Sequence, residues 1–491
     1  MSRKNSFKKI AVYVAGTFTG AVLALSMQSF ADSRKDALPV QDIRTFAEVY
    51  GQIKANYYQQ TDDDVLLQGA IKGMVQGLDP HSEYMTAKDF TDLKESTAGE
   101  FGGLGMEIGK KDDFIMVIAP IEDTPAERAG VQSGDYIIKI DDESTRGMST
   151  TEAVKKMRGK PGTKITLTLT RKDSSKPIVV QITRAIIKVK SVRSKLLDDG
   201  YGYVRVSQFQ ERTLDDLVKN INDLYKKNGG KLNGLVLDLR DDPGGLLNQA
   251  VGVSAVFLPA NEVVVSTKGR DGRDAVQYKA ARADYLPGRK GGNDPLASLP
   301  ADIKKIPMTV LINSGSASAS EIVTGALQDH RRAVVVGVQS FGKGSVQSVI
   351  PLSNGSGVKL TVALYYTPNE RSIQAQGIVP DVEIKSKDDV FEMREADLSG
   401  HVSNPDGGKE VKGKINLDVE PAEAVKTEEK AKTEEEKMDE ILNSRDPNPA
   451  KDVQLKTALD LLKNPEQYQQ NIGRAASEGR DKKLIEKEDA E

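Results

Sequence analysis

The sequence contains no cysteine. That absence excludes a thiol nucleophile, a lipid-modified cysteine, a cysteine zinc site and a disulfide framework. Histidine is almost as scarce, with three in 491 residues: His81, His330 and His401. An excess of charge of one sign is missing too. The formal net charge is −3, which gives no broad basic surface for nucleic acid. Long apolar runs are absent from everything but the N-terminus.

That N-terminus reads as an export signal. Arg3, Lys4, Lys8 and Lys9 precede an apolar run over residues 10–25, and Ser29-Phe30-Ala31 fits a small-x-small cleavage site with cutting after Ala31. The run is also nearly long enough to span a bilayer as an uncleaved anchor. Both readings place the body outside the cytoplasm, and zero cysteine suits such a compartment.

A chain of 491 residues is too long for one ordinary core. Composition and periodicity divide it into a signal at 1–31, a helical arm at 32–95, a strand-and-turn domain at 96–185, an α/β core at 186–387 and a charged helical or disordered region at 388–491. Helical spacing marks the arm (Ile43, Phe46, Val49, Ile53, then Ile71, Met74). Strand–helix–strand alternation marks the core: Leu235-Val-Leu-Asp-Leu239, the turn Asp242-Pro-Gly-Gly245, Met308-Thr-Val-Leu-Ile312 and Ala333-Val-Val-Val336. Thr213 and Asp216 look like a helix cap. Residues 270–299, rich in Gly, Arg and Asp, read as a long surface loop, and residues 426–439 as a solvated helix or disorder. Leu455, Leu459 and Leu462 regain helical spacing and suit docking on the body or on a partner.

Chemistry concentrates in Asn313-Ser-Gly-Ser-Ala-Ser-Ala-Ser-Glu321 and Phe341-Gly-Lys-Gly-Ser-Val-Gln347. Ser318 and Glu321 form a Ser-x-x-Glu capping box, an ordinary helix start. Ser318 also follows a buried strand and a run of small residues, where a substrate backbone can approach. The free N–H groups of a helix start can hold an oxyanion. A serine nucleophile needs a base. His330 is twelve residues on, about 18 Å along an unbroken helix, and is placed to end that helix. His81 lies in a turn and His401 in the polar tail. Lys343, between two glycines, is the stronger candidate. Bringing its pKa down by about three units requires roughly 4 kcal/mol of differential interaction, which burial can supply. Gln347 can orient the amine if the chain bends at Gly344, because four residues of extended strand span about 13 Å.

Other uses of these residues fail on context. Residues 337–343 match a phosphate-binding loop except that Gly344 replaces Ser or Thr, and a strand pattern follows where a helix is required. Ser340-Phe-Gly-Lys343 matches Ser-x-x-Lys, but its glycines oppose the helix that motif needs. A non-enzymatic peptide-binding scaffold is the remaining competitor.

Two resemblances sharpen this. Gly103-Leu-Gly-Met106, Pro125-Ala-Glu-Arg-Ala-Gly-Val131 and Ser133-Gly-Asp-Tyr-Ile-Ile138 resemble a PDZ domain of the bacterial protease-associated kind. The serine and lysine blocks and Leu237-Asp-Leu-Arg-Asp-Asp-Pro-Gly-Gly245, together with the embedded PDZ domain, resemble the C-terminal processing peptidases (tail-specific proteases) in family order over about residues 40–385. The resemblance implies a multidomain α/β protein: a crotonase-like serine-protease core, a β-rich PDZ domain and helical N- and C-terminal arms. It implies Ser318 as nucleophile, Lys343 as general base and Gln347 as its support. It implies an oxyanion hole from the backbone of Ala319 and of Gly244 or Gly245. Gly103, Leu104, Gly105 and Met106 would take a peptide carboxylate, with the next strand edge accepting the extended tail. No cofactor or metal is implied. Expected partners are proteins or peptides with accessible C-termini, further copies of the chain and a helical-repeat adaptor, in the periplasm.

Overall fold

The computed structural model describes residues 39–477 apart from 112, 122, 172–175, 273, 290, 387–392, 408–409 and 414–446. The export signal at 1–31, the charged stretch at 426–439 and the extreme C-terminus lie outside the described residues. Among the described residues no helix is long and apolar enough to cross a membrane.

The chain divides into two compact units, with the boundary after Gly73. The first contains the helix Val40–Asn56 and most of the helix Asp63–Gln76. No residue of the first helix is buried. Ile43, Phe46 and Val49, spaced for one helical face, are all exposed.

In the second unit the PDZ domain and the core are separately packed. The PDZ sheet runs Met106–Lys111, Phe114–Pro120, Tyr136–Ile140, Lys164–Thr170, Ile178–Thr183, all antiparallel. Alternating Ile165, Leu167 and Leu169 face a core shared with Ile115, Val117, Ile137 and Leu104. Its entry and exit strands, Glu100–Gly103 and Ala185–Lys188, pair with each other, so the domain is an insertion whose two connections are pinned together.

The core sheet has the order Val192–Leu196, Tyr201–Val206, Gly234–Asp238, Met308–Ile312, Val334–Gly337, Val382–Glu383. The first pair is antiparallel and the rest are parallel. Helices cover both faces, so its strands are near-continuous apolar runs. Leu235, Leu237, Val310 and Val335 pack with the helices Thr213–Lys227, Leu247–Phe257 and Ala319–Asp329. Val236, Leu311, Val334 and Val336 face the other way, onto Leu455, Leu459 and Leu462 of the helix Val453–Lys463. That C-terminal helix therefore docks on the body. Arg240 clamps it, bonding Asp452 Oδ2 at 2.7 Å and Gln454 Oε1 at 3.0 Å. A second sheet joins Glu83–Met85, Ser345–Pro351, Gly357–Tyr366, Val263–Gly269 and Val276–Lys279.

Two local expectations give way. Residues 270–299 are not simply a loop: Val276–Lys279 pairs with Val263–Gly269, and Tyr285 is buried. The strand is polar because it lies at a sheet edge. Thr213 does not cap through Asp216. Its hydroxyl accepts the Gln210 N–H at 2.8 Å and meets Ser191 Oγ at 2.8 Å, and the helix begins from Arg212.

Candidate active site

The buried strand Met308–Ile312 delivers the chain into a turn stitched to the Asp242-Pro-Gly-Gly245 loop. Ser316 Oγ donates to the Leu239 carbonyl at 2.7 Å, Ala317 N–H to the Asp242 carbonyl at 3.0 Å, and Ser320 Oγ to the same carbonyl at 2.8 Å. These bonds force the next residue into an unusual backbone. Ser318 has φ 55° and ψ −112°, a conformation that costs a side-chain-bearing residue about 1–3 kcal/mol. The helix Ala319–Asp329 starts immediately after it. Its first N–H, on Ala319, has no acceptor among the described residues.

Glu321 fixes this turn and is fully buried. Its Oε2 accepts the N–H of Ser318 at 2.8 Å and of Lys343 at 2.9 Å. Its Oε1 accepts the Gly342 N–H at 2.7 Å and the Ser340 hydroxyl at 2.5 Å. One carboxyl thus holds the backbones of both predicted catalytic residues. Burial pushes its pKa up to about 7, against the pull of these four donors. The buried hydroxyl of Tyr365 makes a second tie, lying 3.1 Å from the Ser318 carbonyl and also against the Lys343 carbonyl.

The glycines beside Lys343 are steric necessities. A Cβ on Gly344 would sit 2.6 Å from Gln374 N, and Gly342 has φ 97° with Gly377 N at 3.0 Å from the same added atom. The Lys343 amine is pushed below the usual lysine range, first by burial and then by Lys359, with Glu395, Glu321 and Asp79 opposing. That is the direction a base requires. Among the described residues no hydrogen bond joins the Ser318 and Lys343 side chains; Glu321 and Tyr365 bring the two residues together through their backbones.

Gln347 does not bond to Lys343. A register shift in the Ser345–Pro351 strand falls between Val346 and Gln347, and the amide donates to Ser345 Oγ at 2.9 Å and Thr361 Oγ1 at 3.3 Å. Of the two candidate oxyanion glycines, Gly244 has its N–H committed to Asp242 Oδ1 at 2.8 Å. The Gly245 N–H has no acceptor among the described residues. Gly244 packs against the nucleophile turn, where an added Cβ would lie 2.8 Å from Ser318 Cβ. Asp242, which shapes this loop, is buried, and burial raises its pKa to about 7.

In the PDZ domain Gly105 has φ 80°, and a Cβ there would strike Thr124 at 2.2 Å. Leu104 is buried. The Leu104 and Gly105 carbonyls are taken by Ala126 N–H at 2.8 Å and Ile121 N–H at 2.9 Å, whereas their own N–H groups have no acceptor among the described residues. Met106–Lys111 is the outer strand of its sheet, so one ladder edge is open beside the helix Thr150–Met157. A cleft of about 3120 Å³ runs from Met106, Glu107 and Thr124 to Asn313, Ser314, Gly315 and Phe341. It reaches the two segments that carry Ser318 and Lys343, though neither of those residues lines it.

Sequence reasoning missed the second role of Glu321, the role of Tyr365, and the bonds that tie the Asp79–Ser82 turn to Thr361 and Glu395. Ser-x-x-Glu was the available signal for Glu321 and pointed only to a cap.

A strained serine at a helix start, free backbone donors and a desolvated lysine are groups suited to nucleophilic attack on a carbonyl. Residues 200–384 match peptidase family S41, residues 116–171 a PDZ domain, and residues 10–89 the activating protease CtpB N-terminal domain. The chain is 44% identical over 402 residues to the carboxy-terminal-processing protease of Bartonella bacilliformis, covering 80% of this chain and 88% of that one. It is 36% identical over 375 residues to the carboxy-terminal processing protease CtpA of Bacillus subtilis, covering 76% and 73%. A solved photosystem II D1 C-terminal processing protease is 29% identical, with a TM-score of 0.39 over 69% of this chain and 86% of that one. The chain belongs to the carboxy-terminal processing proteases of peptidase family S41 and is a serine-type protease carrying a PDZ domain.

Proposed function

We propose that the chain is an exported Ser–Lys endopeptidase that captures the free C-terminus of a protein substrate in its PDZ domain and cleaves upstream. The observation that carries it is the Glu321 carboxyl gripping both the strained Ser318 turn and the Lys343 backbone. In the reaction, neutral Lys343 Nζ takes the Ser318 Oγ proton as Oγ bonds to the scissile carbonyl carbon. The N–H groups of Ala319 and Gly245 receive the oxyanion. As the C–N bond breaks, the ammonium returns its proton to the leaving amine. Lys343 then draws a proton from water as the water oxygen bonds to the ester carbonyl carbon; the C–Oγ bond breaks, the ammonium returns its proton to Ser318 Oγ, and the new C-terminus is released. Gln347, through Ser345 and Thr361, stiffens the strand that follows the lysine. The Leu104 and Gly105 N–H groups take the substrate carboxylate, and Met106–Lys111 pairs with its last residues.

The basic and apolar N-terminus supports a periplasmic location. The exposed Ile43, Phe46 and Val49 face supports self-association, and a helical-repeat adaptor fits the same kind of surface. The test uses purified protein and an unstructured substrate with a free tail. Ser318→Ala should abolish cleavage while binding of the tail peptide is retained. Cleavage that survives Ser318→Ala, or tail binding lost with it, contradicts the proposal.

A further inference from the structure

Three carboxylates, on Glu395, Glu321 and Asp79, favour the ammonium form of Lys343, and one cation, Lys359, opposes it. Glu321 belongs to the helix Ala319–Asp329, Asp79 to the loop before Glu83–Met85, Glu395 to the turn Glu395–Asp397 and Lys359 to the strand Gly357–Tyr366. Any carboxylate able to pair with the amine would hold it as an ammonium and stop it acting as a base. The question is what occupies each carboxylate.

Two are fully engaged. Glu321 has its four donors, described above. Asp79 accepts the N–H of His81 and of Ser82, each at 2.9 Å, the Ser82 hydroxyl at 2.6 Å and the Thr361 hydroxyl at 3.0 Å. Lys359 is itself occupied by Glu83 at 3.0 Å. Glu395 is different. Its carboxylate is fully buried, and it accepts from side chains of two residues only among the described residues: Gln374 at 3.1 Å, and His81 Nε2 at 3.0 Å to one oxygen and 2.8 Å to the other. The His81 ring is 15% exposed. Gln374 passes the constraint on, accepting the N–H of Gly344, next to the lysine, at 2.9 Å. The Glu395 N–H donates to the Phe341 carbonyl at 3.1 Å. A buried carboxylate stripped of a donor must find another or pay a large desolvation cost.

We propose that His81 is a positioning residue for the base: by engaging Glu395 it keeps that carboxylate off the Lys343 amine and leaves the amine free to take a proton. The proposal rests on the Ser–Lys reading. It also gives the turn Asp79-Pro-His-Ser82 a task. Asp79 folds the turn through its bonds to the next two N–H groups, which aims His81 at Glu395. The two residues are 314 positions apart in sequence.

The experiment is the pH dependence of kcat/KM on a tailed substrate. His81→Phe keeps the ring volume and removes the donor. Its acid limb should move to higher pH by about one unit, a tenfold loss at any pH on that limb, with the full rate regained at high pH. His81→Gln, which retains an N–H donor, should recover part of the shift. Adding Glu395→Gln to His81→Phe should return the limb to the wild-type position or below it. A limb that stays in place while the rate falls at every pH would show His81 to be merely structural, and a shift that survives Glu395→Gln would also overturn the proposal. If His81→Phe fails to fold, Glu395→Gln alone decides: its limb should move to lower pH, and an unmoved limb refutes the idea. Failure of the dyad itself is distinguishable, because Lys343→Ala would then cleave with the wild-type acid limb intact.

Discussion

Replacing Glu321 should produce a graded loss whose steps follow from its hydrogen bonds. Glutamine offers one carbonyl oxygen and one NH₂. With the NH₂ facing Ser318 and Lys343, two backbone N–H groups lose their acceptor. With it facing Ser340 and Gly342, the hydroxyl can rotate and only the Gly342 N–H is orphaned. The second orientation is the cheaper, at about 1–3 kcal/mol for one buried unsatisfied donor. Alanine orphans all three N–H groups, a cost of several times that amount, against a total stability of about 5–15 kcal/mol. Activity falls by a second route. Ser318 is held in a conformation strained by about 1–3 kcal/mol, and without Glu321 that strain can relax. A displacement of about 1 Å at a reacting atom costs roughly 10²-fold. Glu321→Gln should therefore lose about tenfold or less in kcat/KM, and Glu321→Ala about 10²-fold or more with a lower Tm. The assay is steady-state cleavage of an unstructured tailed protein, with tail-peptide binding measured in parallel. Equal effects of Gln and Ala, full activity in Glu321→Ala, or tail binding falling in step with cleavage would refute the reasoning.

Further expectations concern the loop, the C-terminal helices and pH. Gly245→Ala should abolish cleavage and lower stability, since its Cβ would lie 2.1 Å from the Phe209 carbonyl oxygen; a folded, active variant would contradict the placement of this turn. Truncation before the helix Val453–Lys463 should aggregate, because it uncovers Val236, Leu311 and Val336; a soluble, active truncation would show that face to be dispensable. Burial raises Glu321 and Asp242 to about 7 and Asp381 to about 6. A carboxyl raised on folding adds stability below its unfolded pKa, and that stability is lost as pH rises through the folded value. Asp238 acts oppositely: its arginine partners, Arg240 and Arg205, outweigh burial and hold it low, so its contribution disappears in strong acid. The urea midpoint should peak near pH 4–5 and fall toward pH 8; a midpoint that rises over that interval counts against these assignments.

What the sequence made legible was local. The helix start at Ser318 and the glycines around Lys343 lie inside short segments whose chemistry constrains itself, and the PDZ loop is marked by Gly105, where a side chain cannot fit. What stayed hidden depends on contacts between distant segments. Glu321 looks like a cap because its nearest bond is to Ser318; its bonds to Ser340, Gly342 and Lys343 span 19 to 22 residues. His81 looks idle in a turn because its partner lies 314 positions further along the chain. The direction of Gln347 was set by a strand irregularity that no residue pattern announces. The Val276–Lys279 strand was concealed because an edge strand does not need the apolar alternation by which strands are recognised.

The most direct measurement of the central claim is kcat/KM against pH for the wild type, Lys343→Ala and His330→Ala on one tailed substrate. If Lys343 is the base, Lys343→Ala should fall by at least about 10²-fold and lose the wild-type acid limb. His330 ends its helix with Nε2 2.7 Å from the Val263 carbonyl oxygen, and His330→Ala should keep both the rate and the profile. Retention of the wild-type rate and limb in Lys343→Ala would contradict the Ser–Lys assignment outright.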